Sequence, residues 1–158
     1  FNTHRMVEEY MEKFYVDAAL QWQVLSSEQC ARSRALAEWK RNMREHWGRV
    51  RVVDVSYNRN GDYPIGSSIQ VTTEVDLGGL VSDDVEVDVY YGPMDAEDEF
   101  TDRQVEPLKY AGPSANGTAL FKGEIRCLKT GKFGFSVRVL PFHTLLVSQS
   151  SLNMAHWG

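Results

Sequence analysis

Two stretches of this chain alternate apolar and polar side chains with strict period two. Ile69, Val71, Thr73, Val75 and Leu77 interleave with Ser68, Gln70, Thr72, Glu74 and Asp76. Val85, Val87, Val89 and Tyr91 interleave with Asp84, Glu86, Asp88 and Tyr90. An extended strand sends such residues to opposite faces, whereas a helix would scatter them around its surface. A strand that is apolar on one face needs a second layer to cover that face, so the pattern demands a sheet with a buried side. Arg49–Tyr57, Val105–Tyr110, Ala119–Cys127 and Phe133–Val139 continue in the same short-period character. Turn signals separate these runs at Asn60-Gly61-Asp62, Gly78-Gly79, Gly112-Pro113, Asn116-Gly117 and Thr130-Gly131. Six to seven short strands punctuated this way predict an antiparallel sandwich of immunoglobulin or fibronectin type. No strand–helix alternation follows Arg51, which excludes a Rossmann-like domain.

The first fifty residues have the helical period instead. Met6, Val7, Tyr10, Met11, Phe14, Tyr15, Ala18, Ala19 and Trp22 recur at intervals of three and four, along one broad stripe. Asn2 or Thr3 can cap its start, and Ser26 with Gln29 reads as a capping box opening a second helix. That helix carries Leu36, Trp39, Met43 and Trp47 on one side and stops at Gly48. The expected architecture is therefore α+β: a helical hairpin over 1–48, then a β-sandwich over 49–158. Ser150–Gly158 is read as a short terminal helix. The stripe is wider than two packed helices require, so Met6, Tyr10, Phe14, Tyr15 and Trp22 are candidates for an interdomain or self-association surface.

Charge divides at the same place: residues through Arg51 are net +2 and the remainder net −7. The overall −5 argues against a duplex-binding module, which needs a basic face to displace counterions. No apolar run approaches a membrane span, and no export signal is read, so a cytoplasmic protein without a membrane partner is expected. Cys30 and Cys127 form no short-spaced metal or redox pair, and two reduced, mostly buried thiols are expected. His4, His46, His143 and His156 are scattered without ligand spacing. No phosphate loop, nucleophile elbow or zinc signature occurs. Asp95, Glu97, Asp98, Glu99 and Asp102 lack the spacing of a calcium loop and read as a solvated loop. Tyr63 and Tyr90 are weak candidates for a carbohydrate-stacking platform. No catalytic, cofactor-binding or metal-binding residue is identified.

Several segments together resemble a known family. Arg5-Met6-Val7-Glu8-Glu9-Tyr10, followed by Phe14-Tyr15, resembles the last helix of the catalytic core in α-glucan phosphorylases. Ala31–Lys40, Trp47 and the Val50–Val55 strand resemble the opening of the C-terminal extension carried by a bacterial subgroup of those enzymes. Leu77-Gly78-Gly79-Leu80, Asp83-Asp84-Val85-Glu86-Val87 and Tyr90-Tyr91-Gly92 are similar to its middle strands. Gly131, Phe133-Gly134-Phe135, Val137-Arg138-Val139-Leu140-Pro141 and His143 are similar to its last strand. These matches run in order over nearly the whole chain. Asp17 stands where the family has a proline, which touches a helix bend and no chemistry.

The resemblance implies a glycosyltransferase of carbohydrate metabolism as parent, moving glucosyl units from an α-1,4-glucan to phosphate to give glucose 1-phosphate. It implies pyridoxal phosphate on a lysine of that parent. The corresponding Gly-Asn-Met-Lys type motif is absent, since Asn153-Met154 is followed here by Ala155. The chain is thus expected to be the noncatalytic accessory end of such an enzyme, inactive by itself and structural or interdomain in role. A glucan-binding module that tethers the enzyme to polymer, and a free-standing interaction domain, remain open as alternatives. The expected partners are the parent catalytic domain, α-glucan and a second copy of the chain.

Overall fold

The computed structural model describes residues 3–58, 63–128 and 130–158. It divides into two compact units, 1–44 and 45–158.

In the first unit, α1 (Thr3–Tyr10) runs through a π-helical turn, Met11–Tyr15, into α2 (Val16–His46). Within α2 the backbone leaves helical geometry at Ser27–Cys30, where Glu28, Gln29 and Cys30 take positive φ. Two helical segments are therefore joined close to where the sequence places their junction. Ser26 does not open the second of them; it sits in the last turn of the first, its hydroxyl donating to the Gln23 carbonyl. The Ser27 and Ser33 hydroxyls donate to Val24 and Leu25 carbonyls at 2.7 and 2.5 Å. These are the carbonyls that lose their helical partners where a helix ends, which is why serines cluster at the break. Cys30 is exposed, not buried as expected; it lies in that break, its thiol directed to the Ser26 carbonyl at 3.9 Å. Leu36 and Met43 are buried, whereas every residue from 3 to 20 is exposed.

The second unit holds seven antiparallel strands: β1 (Arg51–Tyr57), β2 (Ser68–Asp76), β3 (Val85–Pro93), β4 (Gln104–Pro113), β5 (Ala119–Arg126), β6 (Phe133–Pro141) and β7 (His156–Trp157). Their order is β1-β2-β5-β4-β3-β6-β7. The fourth strand belongs to both layers: Gln104–Leu108 pair with β3 and Lys109–Pro113 pair with β5, with a bulge between Tyr110 and Gly112 inside the second pairing. One layer is thus β1-β2-β5-β4 and the other β3-β6-β7, the strand arrangement of an immunoglobulin constant-type sandwich. Tyr57 of β1 meets Phe135 of β6 edge-on at 5.2 Å, so the outer edges also approach and the sheet is nearly closed.

The alternating residues do what their period demands. Ile69, Val71, Val75, Val87, Val89, Phe121, Ile125, Val137 and Val139 are all buried. Each contributes about 1.5–3 kcal/mol relative to exposure. Thr73 shares that interior and satisfies its hydroxyl by donating to the Asp54 carbonyl at 2.8 Å. Gly78 and Gly79, at φ +62° and +105°, turn the chain beneath His46 and Arg49, where a Cβ on Gly78 would lie 2.7 Å from that of Arg49.

Three expectations need correction in this unit. Gly112-Pro113 is no turn but the end of β4; the positive φ of Gly112 falls at the bulge in its pairing with β5. The terminal helix is absent: a 3-10 turn at Gln149–Leu152 leads into β7. Backbone pairing with the open edge of β6, including Gly158 N–H to Val137 O at 2.9 Å, satisfies groups that a helix of nine residues would leave largely unsupported. Asp88, expected on the water-facing side, is only 2% exposed. The Asn60-Gly61-Asp62 turn and the Asn2 cap lie outside the described residues.

Candidate functional site

Asp88 is buried on the outer face of its sheet because Arg138 covers it. The two residues are directly paired across β3 and β6, and the guanidinium bonds both carboxylate oxygens, at 3.1 and 2.7 Å. Those bonds hold Arg138 protonated still further above its ordinary range. The guanidinium also lies 5.5 Å from the Tyr90 ring centre and 5.4 Å from that of Trp157. Arg103 approaches Tyr90 at 5.7 Å, and Phe100 and Trp157 meet it edge-on. Tyr90 is therefore one layer of a cation–aromatic stack, not a bare ring. Tyr63 is half-buried in the connection before β2 and donates its hydroxyl to the Asn58 carbonyl. The described interactions do not bring the two tyrosines together.

The five stripe residues are all open to solvent, from Met6 at 50% to Trp22 at 72% exposed. Tyr10 and Phe14 contact each other at 5.7 Å along the helix. Val7, Met11, Val16 and Leu20 are likewise exposed, which adds four large apolar side chains to the same helical stretch. Patches of this kind on a folded chain mark interaction surfaces.

A second surface comes from the crossing of β4 between layers. Over Gln104–Leu108 that strand follows β3, while Gly123–Arg126 of β5 stays with β2. The two segments separate, and an open hollow of about 440 Å³ forms between Gln70, Glu106, Pro107, Lys109, Lys122 and Glu124. A neighbouring hollow of about 390 Å³ shares Glu106 and Glu124 and reaches Tyr91, Arg126 and Leu128. Gly123 permits the close approach at the pivot, since a Cβ there would lie 2.5 Å from a Leu108 methyl. Gln70 donates to Glu124 at 2.6 Å; bonds from Ser68 and Gln70 lower that carboxyl below its ordinary range. Burial, with Glu106 beside it, raises the Tyr91 phenol above its ordinary value. Sequence reasoning missed this trough, because its residues come from three strands and only their register brings them together.

The remaining candidates stay local. Asp95 accepts the Glu97 and Glu99 amides at 3.1 and 2.9 Å, and Asp98 pairs with Lys132, so the acidic run closes on itself as a loop. Among the described residues, no group of three His, Cys, Asp or Glu side chains could hold a metal. His156 lies against Trp47, its Nε2 3.0 Å from the Trp47 carbonyl. Among the described residues, no helix is long and apolar enough to cross a membrane.

The profile of the glycogen phosphorylase C-terminal domain family matches residues 47–158. Glycogen phosphorylase of Mycobacterium tuberculosis strain H37Rv is 31% identical over 151 residues, which are 95% of this chain and 18% of that protein. Maltodextrin phosphorylase of Thermococcus litoralis is 29% identical over 161 residues, 99% of this chain and again 18% of that protein. The chain thus spans less than a fifth of the curated relatives it matches. No solved structure matches it.

Proposed function

The chain belongs to the glycogen phosphorylase C-terminal domain family, and from that premise we propose that it is the noncatalytic accessory domain of an α-glucan phosphorylase. The parent enzyme would transfer glucosyl units from α-1,4-glucan to phosphate in the cytoplasm, and this domain would act between its parts. The observation that carries the reading is the exposed apolar face from Met6 to Trp22. A helix whose large apolar side chains all face water forfeits the burial that normally stabilises it. The phosphorylase polypeptide preceding this helix is the proposed cover. Pyridoxal phosphate, which the parent would use, is assigned to no residue of this chain. Among the described residues Lys13, Lys109, Lys122 and Lys132 are exposed, unlike the desolvated lysine that carries such a cofactor. No chemical step is assigned to this chain.

Hydrogen exchange tests the proposal. Amides of Met6–Trp22 exchange fast in the chain alone, diluted until it is monomeric, and become protected when it is produced together with the polypeptide encoded upstream. Equal protection in both samples overturns the interdomain role, and phosphate-dependent release of glucose 1-phosphate by the chain alone overturns the noncatalytic one. A second reading, a module that holds the glucan polymer, draws on the polar trough between β4 and β5.

A further inference from the structure

The trough holds an unusual distribution of charge. Lys109 and Lys122 are directly opposite one another across the β4–β5 ladder. Like charges in that position repel, and neither lysine bonds or ion-pairs with a described residue. Glu106 and Glu124 stand in the same hollow, yet neither makes an ion pair with the lysines among the described residues. Arg126 lines the neighbouring hollow. Cationic and anionic side chains therefore share two adjoining hollows, and no ion pair joins Lys109 or Lys122 to either carboxylate among the described residues.

We propose that this trough is a binding site for a neutral, extended polyhydroxyl chain, an oligosaccharide lying along β4 and β5. The inference rests on the glucan-binding reading above and gives it a location. An anion drawn to Lys109 and Lys122 meets the carboxylates of Glu106 and Glu124, and a cation meets the reverse. A hydroxyl group both donates and accepts, so one ligand chemistry satisfies every group present: it accepts from the lysines, donates to the glutamates and exchanges bonds with Gln70. Two adjoining hollows, joined through Glu106 and Glu124, favour a chain of rings over a single one. An added peptide strand is the poorer occupant. Pro107 has no N–H to offer and sits in the segment of β4 that borders the gap, the usual device for discouraging strand addition.

The test is an amide NMR titration of the full chain with maltoheptaose, with cellohexaose and inorganic phosphate as separate arms. Shifts should cluster at Gln70, Glu106, Lys109, Lys122, Glu124 and Arg126. Lys122→Ala and Glu124→Gln should each weaken binding about tenfold or more, as loss of one hydrogen bond to a charged group does. Both positions are exposed, and the dispersion of the remaining resonances confirms that the variants are folded. Binding of maltoheptaose but not cellohexaose identifies an α-linked chain; binding of both leaves the site a general oligosaccharide groove. Absence of saturable sugar binding overturns the inference, as do shifts centred elsewhere or full affinity in both variants. So does preferential binding of phosphate at the two lysines. Failure here, with Met6–Trp22 still protected by the upstream polypeptide, removes this site and leaves the accessory-domain reading intact.

Discussion

Asp88 occupies a polar position in a perfect alternation, and it is nevertheless one of the most buried residues of the sandwich. The cause is pairing, not patterning: an arginine on the next strand neutralises it, and two aromatic rings flank the arginine. A buried carboxylate left without its partner is costly, so Asp88→Ala and Arg138→Ala should each lower stability by about 3 kcal/mol. Replacing both together, as Asp88→Leu/Arg138→Met, should recover most of that loss, because no uncompensated charge remains. Urea unfolding of the four proteins provides the check; equal losses in the single and double variants would refute the argument. Tyr91 makes a second prediction at this scale. Its folded pKa is raised above the ordinary value of 10.0, first by burial and then by Glu106, against a smaller opposing effect of Arg126. Above pH 10 the unfolded phenol releases its proton while the folded one retains it, so stability falls as pH rises through that window. Tyr91→Phe should flatten this alkaline loss, measured by unfolding between pH 9 and 12, and leave stability at neutral pH less affected.

At the scale of elements, strand positions followed from alternation, and chain reversals from turns placed where glycines permit them, whereas β2–β5 and β3–β6 pair without a turn between them. Gly78 illustrates both demands on such a residue: a positive φ, and no room for a side chain beside Arg49. Gly117, at φ +80°, has the first demand without the second, since nothing lies within 4 Å of its Cβ position. Gly117→Ala should therefore cost about 1 kcal/mol of backbone strain. Gly78→Ala should cost more, about 2 kcal/mol or above, because backbone strain and displacement of the Trp47–Arg49 turn add. Thermal unfolding ranks the two, and a milder effect at Gly78 would contradict the packing described. The crossing of β4 is the element-level event with the largest consequence: between Leu108 and Lys109 the strand passes from one layer to the other, and the trough opens beside that crossing.

For the whole molecule, the contrast lies between a sandwich with a filled interior and a leading helix with none. Exposing several large apolar side chains forfeits about 1.5–3 kcal/mol for each. In isolation the chain should therefore associate with itself through Met6–Trp22, substituting a second copy for the missing partner. Light scattering should report a mass above the monomer that falls to the monomer in Tyr10→Glu/Phe14→Glu. A monomeric starting protein with a protected first helix would show that the stripe is covered from within.

The periodicities of two and 3.6 by themselves determined the class of the fold, the order of its elements and which face of each strand is apolar. These properties are local: each depends on where consecutive side chains point along one segment. Tertiary structure alone decided the rest. Ser150–Gly158 is too short for its own period to choose between helix and strand, and the open edge of β6 made the choice through backbone hydrogen bonds. Asp88 looked solvated because nothing near it in sequence shows that Arg138, fifty positions away, lies across from it. The trough was illegible for the same reason: Gln70, Glu106, Lys109, Lys122 and Glu124 each read as an ordinary exposed residue on a strand. Only the registers of β2, β4 and β5, set by bulge and turn geometry, place those charges within reach of one ligand.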